Sequence, residues 1–109
     1  MARRVARGDV WLYRFAPPNK RRPVVVLSRR SAIAVLSTVI VAPITSTIRG
    51  HVGEVGLGVD DGMKGPCAIN LDNVTTVRQV DLRRYVSTLR PVRMAQVCTA
   101  LAVATGCTT

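Results

Sequence analysis

The chain has 109 residues, 48% of them hydrophobic, enough for one domain with one modest core and too apolar for disorder throughout. Sixteen Lys and Arg against six Asp and Glu leave a net charge of +10, with Arg making up all but Lys20 and Lys64. Such a surface calls for a polyanionic partner (nucleic acid, an anionic membrane surface or an acidic protein), and the short chain excludes a multi-domain enzyme or a dinucleotide-binding fold.

Most of the pattern has a period of two. Asp9 to Phe15 alternates, with Trp11, Tyr13 and Phe15 on one face and Val10, Leu12 and Arg14 on the other, which predicts a strand. Ala16-Pro17-Pro18-Asn19-Lys20 is a loop stiffened by prolines. Pro23 to Leu27 predicts a short buried strand opened by Pro23. Arg29 to Leu36 reads as a loop with a helical turn. Thr38 to Ile44 is a β-branched run and predicts an inner strand.

Six glycines lie between Gly50 and Gly65. Within that stretch Glu54 to Val59 still predicts a strand, with Val55, Leu57 and Val59 on one face, and Asp60-Asp61-Gly62 is a turn signal. Cys67 to Leu71 and Thr75 to Val77 read as one strand bent near Asp72-Asn73. Val80 to Tyr85 reads as a helical turn, and Tyr85 to Leu89 as a last strand. Then Met94, Val97, Cys98, Leu101, Ala102 and Thr105 fall on one face of a helix that Pro91 can start and Gly106 can end. The sum is five to seven short strands and one C-terminal helix in a single domain, 1–109: a small, mainly β, barrel-like fold.

A membrane span is not expected, because the longest apolar stretch, Ala32 to Ile44, is broken by Ser37 and Thr38 and falls short of the ~20 residues a spanning helix needs. Met1 to Phe15 is interrupted by Arg7, Asp9 and Arg14 and does not read as a secretory signal. Cys67, Cys98 and Cys107 are an odd number with no paired spacing. They are expected to be buried, reduced thiols in a cytoplasmic protein rather than disulfides or zinc ligands.

Catalytic groups are scarce. His51 is the single histidine and reads as an exposed loop residue; Asp60-Asp61 reads as a turn; Arg7-Gly8-Asp9 reads as the start of the first strand. No metal-ligand spacing and no cofactor motif is present, so neither is expected. The basic cluster says more. Lys20, Arg21, Arg22, Arg29 and Arg30 flank one apolar strand. They are either a solvated face or a phosphate clamp, for which the planar guanidinium fork is suited. Thr45-Ser46-Thr47 and Arg49, at the end of the next strand, can donate several hydrogen bonds to a phosphodiester.

Four segments occur in order: Arg7-Gly8-Asp9-Val10-Trp11, Arg21-Arg22-Pro23 leading into Val24 to Ser28, Val39 to Ser46 ending in Ile44-Thr45-Ser46, and Cys67 to Val77 with Asp72-Asn73. Together they resemble the MazF/PemK family of type II toxin–antitoxin endoribonucleases over Arg7 to Leu101. The resemblance implies an SH3-like barrel of the MazF/PemK/CcdB type acting as a homodimer. It also implies metal-independent, sequence-specific cleavage of single-stranded RNA, most simply mRNA, and inhibition by an acidic antitoxin. The family's essential Arg, the residue before Pro, falls on Arg22, with Arg21 its neighbouring alternative; its essential Thr falls on Thr45; an acidic group near the scissile phosphate falls on Asp72. Lys20, Arg21, Arg29, Ser46, Thr47, Arg49, Asn73 and Thr75 are the candidate RNA contacts. Two positions depart from the family: the first loop is short with Pro17-Pro18 instead of glycines, and Thr75 stands where a basic residue is common.

Cleavage without a metal would use the RNA's own 2′-OH, with Arg22 and Thr45 stabilising the five-coordinate phosphorus and Asp72 as base. Two other classes compete: a CcdB-like toxin that inhibits gyrase by protein contact, and a non-enzymatic basic RNA-binding module.

Overall fold

In the computed structural model, which describes residues 3–18 and 20–107, the chain runs β1 (Asp9–Arg14), β2 (Arg21–Val26), α1 (Arg30–Val35), β3 (Thr38–Thr45), β4 (Glu54–Leu57), β5 (Cys67–Asn70), β6 (Thr75–Arg78), β7 (Arg84–Thr88) and α2 (Pro91–Ala104). The strands form one curled antiparallel sheet, a half-barrel, in the order β4-β5-β3-β2-β1-β7, with β6 also on β3. No helix among the described residues is long and apolar enough to cross a membrane.

Both faces of the sheet are covered, which is why β2 and β3 read as unbroken apolar runs. Val10, Val25, Ala42 and Ile44 pack with Leu57, Ile69, Leu71 and the α2 residues Val97 and Ala100. On the other face Trp11, Val24, Val26, Val39, Val41 and Val77 pack with Leu82, Tyr13, Phe15 and Ile33 of α1. The alternation of side chains along each strand sorts neighbours such as Val24 and Val25 into the two clusters.

β3 is the hub. Its pairing with β2 runs from Val26↔Val41 to Val24↔Pro43. On its other edge Thr38 to Val41 pair with β6 and Ile44 to Thr45 with β5. Between those two ladders, opposite Ala42 and Pro43, the chain leaves the sheet in a 3-10 turn, Leu71–Asn73. Pro43 has no N–H to give to a ladder, and Pro23 sits where the β2–β3 pairing stops. The bend read at Asp72-Asn73 is therefore a four-residue interruption, Leu71 to Val74, between two strands that both pair with β3.

Several elements depart from the sequence reading. β2 starts at Arg21, so Pro23 lies inside it. The helical turn after Arg29 is a short helix, α1. β4 stops at Leu57 because Asp61 Oδ2 accepts the Gly58 N–H at 2.9 Å and winds Val59–Asp61 into a 3-10 turn, leaving Val59 exposed rather than in line with Val55 and Leu57. The turn expected over Val80 to Tyr85 shrinks to Gln79–Asp81, held by the Arg78–Asp81 pair, and β7 begins at Arg84. α2 buries Val97 and Ala100, with Met94, Leu101 and Ala104 against the core; Cys98 and Thr105 face out. Small side chains at Ala100 and Ala104 let the helix sit close on that stripe. The thiol expectation holds for Cys67 alone, since Cys98 and Cys107 are exposed. All three thiols are free.

The half-barrel is open between its edge strands β4 and β7, and Asp61 fastens the gap. Its carbonyl oxygen accepts Ser87 Oγ–H of β7 at 2.8 Å, and its buried carboxylate receives Arg93 Nε–H at 3.0 Å and Nη2–H at 3.1 Å from α2. Burial works against its charge. Arg93, the Gly58 N–H and Arg90 outweigh that and hold the carboxyl below the ordinary aspartate range.

Arg93→Met, which keeps the stem and removes the charge, is expected to cost about 3 kcal/mol in urea unfolding, since it strands a buried carboxylate. A depressed native carboxyl stabilises the fold above the ordinary aspartate pKa, and that contribution is lost as pH falls through the native titration. The acid loss of stability should therefore be shallower in Arg93→Met than in the parent.

Candidate active site

Continuing the β2–β3 register two residues past Val24↔Pro43 sets Arg22 opposite Thr45, beyond the last ladder bond. Arg22 shares its strand face with Val24, and Thr45 shares its face with Pro43 and Val41. Two depressions meet at this pair. One, of about 880 Å³, is walled by Thr47, Arg49, Asp72, Asn73 and Thr75. The other, of about 920 Å³, includes Arg21, Ser46 and Lys64. Arg22 and Thr45 line both, so they form the ridge of one continuous groove.

The groove is cationic because its guanidinium groups are not used elsewhere. Among the described residues the ion pairs engage Arg3, Arg78, Arg90 and Arg93. Arg21, Arg22 and Arg49 are in none of these pairs. Thr45 is oriented by its surroundings: its hydroxyl oxygen accepts the Thr47 backbone N–H at 3.1 Å, which leaves the O–H free to donate outward.

Asp72 is placed by the 3-10 turn. Asn70 Oδ1 accepts the Asp72 backbone N–H at 3.0 Å, fixing the start of the turn. The carboxylate then folds over Gly53, where a Cβ would stand 2.8 Å from Asp72 Cγ. Glycine at position 53 is what allows the acid to lie this close to the end of the loop between β3 and β4.

The sequence-predicted residues thus divide. Arg22, Thr45, Asp72, Thr47, Arg49, Asn73 and Thr75 surround one depression, and Arg21 and Ser46 the adjoining one. Lys20 is exposed before β2 and lines neither. Arg29 lies past the opposite end of β2, bonded through Nε to Ser31 Oγ, away from the groove. Six residues lining the first depression were not singled out as site residues: Phe15, Pro43, His51, Glu54, Asn70 and Val74. His51 is exposed, as expected, yet it faces the groove. Phe15 was already visible as the last aromatic of the Trp11-Tyr13-Phe15 face. Glu54 and Asn70 had no local signal; they are joined only by the register Glu54↔Asn70.

Residues 6–105 match the family model described as PemK-like, MazF-like toxin of type II toxin–antitoxin system. The chain is 46% identical over 103 residues to a probable endoribonuclease MazF5 of Mycobacterium tuberculosis, covering 94% of each chain. It is 35% identical over 102 residues to the same organism's probable endoribonuclease MazF2, covering 93% of this chain and 98% of that one. Among solved structures it resembles the M. tuberculosis toxin MazF-mt6, with a TM-score of 0.81 at 30% identity over 90% of this chain and 96% of that one. A mycobacterial endoribonuclease in complex with its cognate antitoxin superposes with a TM-score of 0.86 at 26% identity over 96% and 98%.

Proposed function

The chain belongs to the PemK-like, MazF-like family of type II toxin–antitoxin toxins and is an endoribonuclease, and we propose that it cuts single-stranded RNA, messenger RNA foremost, at short sequence motifs through attack by the RNA's own 2′-OH, without metal or cofactor. The observation that carries this reading is the meeting of Arg22 and Thr45 on the ridge of a cationic groove with Asp72 in its wall.

In this reading Asp72 takes the 2′-OH proton, and the ribose oxygen attacks the adjacent phosphorus. The bond from phosphorus to the 5′-oxygen breaks and the departing alkoxide takes a proton from water, giving a 2′,3′-cyclic phosphate and a 5′-OH end. Charge builds on the non-bridging oxygens in the transition state. Arg22 presents two parallel N–H donors to them, and the free O–H of Thr45 adds a third. The guanidinium does not give up its proton near neutral pH, so Arg22 works by electrostatic stabilisation rather than as a base. Thr47, Arg49, Asn73 and Thr75 position the strand on one side, and Arg21 and Ser46 on the other. Lys20 adds to the field that draws RNA in. DNA, lacking the 2′-OH, would bind and stay whole. The gyrase-inhibiting and non-enzymatic readings are not favoured: neither needs a clamp of this geometry.

The partners follow from the same surface. A net charge of +10 draws an acidic antitoxin segment to the groove, where it would exclude RNA. Membership of this toxin family is what supports a homodimer.

The test of the proposal is incubation of the purified protein with a long single-stranded RNA in EDTA. Discrete cuts with 5′-OH ends are expected; uncut RNA would overturn it. Arg22→Lys keeps the charge and loses the fork, so binding to an uncleavable 2′-deoxy substrate should change little while single-turnover cleavage falls about 10²–10³-fold. Arg21→Lys is expected to stay near the parent rate. Light scattering of the free protein should give twice the 11.8 kDa chain mass at micromolar concentration.

A further inference from the structure

A carboxylate in an anion-binding groove needs a reason, and Glu54 has one. Glu54 opens β4, half-buried, in the wall of the groove. Its carboxylate accepts the backbone N–H of Gly50 at 2.9 Å and that of Arg49 at 3.2 Å, and its own N–H closes a turn by donating to the His51 carbonyl at 3.0 Å. Gly50 sits at φ +75°, a left-handed conformation that turns two successive N–H groups toward one point. Residues 46–52 are otherwise exposed throughout. Glu54 at one end and the Thr45 hydroxyl at the other are the side chains that accept their backbone N–H groups. The loop so held carries Arg49 and His51 into the groove.

We propose that Glu54 is a specificity-determining positioning residue: it latches the loop between β3 and β4 so that Arg49 and His51 stand at a fixed place beside the scissile phosphate and select which RNA bases fit there. This rests on the reading of the groove as an RNA-cleaving site. Glu54 touches no RNA in this role; its charge is satisfied by the Arg49–Gly50 N–H pair, which is how a carboxylate is tolerated where phosphates lie. Across the β4–β5 ladder its neighbour Asn70 holds the Asp72 turn. One cross-strand pair therefore supports both the base-reading wall and the acid.

The test compares the parent with Glu54→Gln, which keeps an acceptor, and Glu54→Ala, which removes it. Each is incubated with the same long RNA, and rates are read site by site from mapped 5′-OH ends. A loosened loop should let Glu54→Ala lose discrimination between the preferred site and the next by about tenfold or more, while Glu54→Gln restores most of it. Two results would overturn the latch. One is an unchanged ratio between sites with all rates moved together. The other is uniformly tighter RNA binding in both variants, which marks Glu54 as only a repelling charge. Amide hydrogen exchange at Arg49 and Gly50 gives a reading independent of cleavage. Exchange should be faster in Glu54→Ala than in the parent, and equal exchange counts against the latch even if the parent cuts no RNA. A parent that cuts no RNA while showing that difference would instead remove the proposed function and leave the latch standing.

Discussion

Two prolines, Pro23 in β2 and Pro43 in β3, are the feature from which the groove follows. A strand residue without an N–H cannot keep a ladder continuous. On one edge the pairing with β2 stops at Val24↔Pro43, where the next donor would be Pro23, so Arg22 and Thr45 lie across from each other where the strands are no longer joined. On the other edge the partner strand breaks into β5 and β6, and the residues between them lift Asp72 toward the same space. A fully hydrogen-bonded sheet would have left no groove there, and its polar groups would have been spent on one another.

The arginines divide between holding the fold and serving the groove. Arg93, with Arg90 behind it, neutralises Asp61 and ties α2 and β7 to the turn after β4. Arg3 does the same for the fully buried Asp9, whose carboxylate also accepts the Ala6 N–H, the Trp11 indole N–H and the Thr88 hydroxyl. Such buried carboxylates are tolerable because every donor around them is supplied by the fold. Among the described residues Arg21, Arg22 and Arg49 enter no ion pair. That difference, rather than the total charge, separates the cations that close the half-barrel from those left to meet an anion in the groove.

Close backbone approaches do the finer placement. Gly53 brings the Asp72 carboxylate down onto the base of the loop, Asn70 caps the turn that carries it, and the Thr45 hydroxyl is oriented by the Thr47 N–H. The two hydrogen bonds lie exposed to water, while Gly53 is buried beneath the carboxylate.

The sequence by itself determined much of this molecule. Alternating Trp11-Tyr13-Phe15, the β-branched runs of β2 and β3, the turn at Asp60-Asp61-Gly62 and the bend at Asp72-Asn73 are local patterns, written by a period of two and by turn chemistry, and they were legible without coordinates. Arg22 and Thr45 were singled out through the family resemblance of the segments around them, and the strand register sets them across from each other. Less was visible where a long-range partner decides. Val59 leaves β4 because Asp61 is held elsewhere by Arg93 and captures Gly58. The buried stripe of α2 is set by the sheet it meets, so Cys98 turns outward to receive Arg7 Nη2–H at 3.1 Å on its sulfur. Glu54 and Asn70 enter the site only through cross-strand register. Local preference writes elements and motifs; which side chains share a groove depends on pairings between distant segments, and those exist only once the sheet has curled.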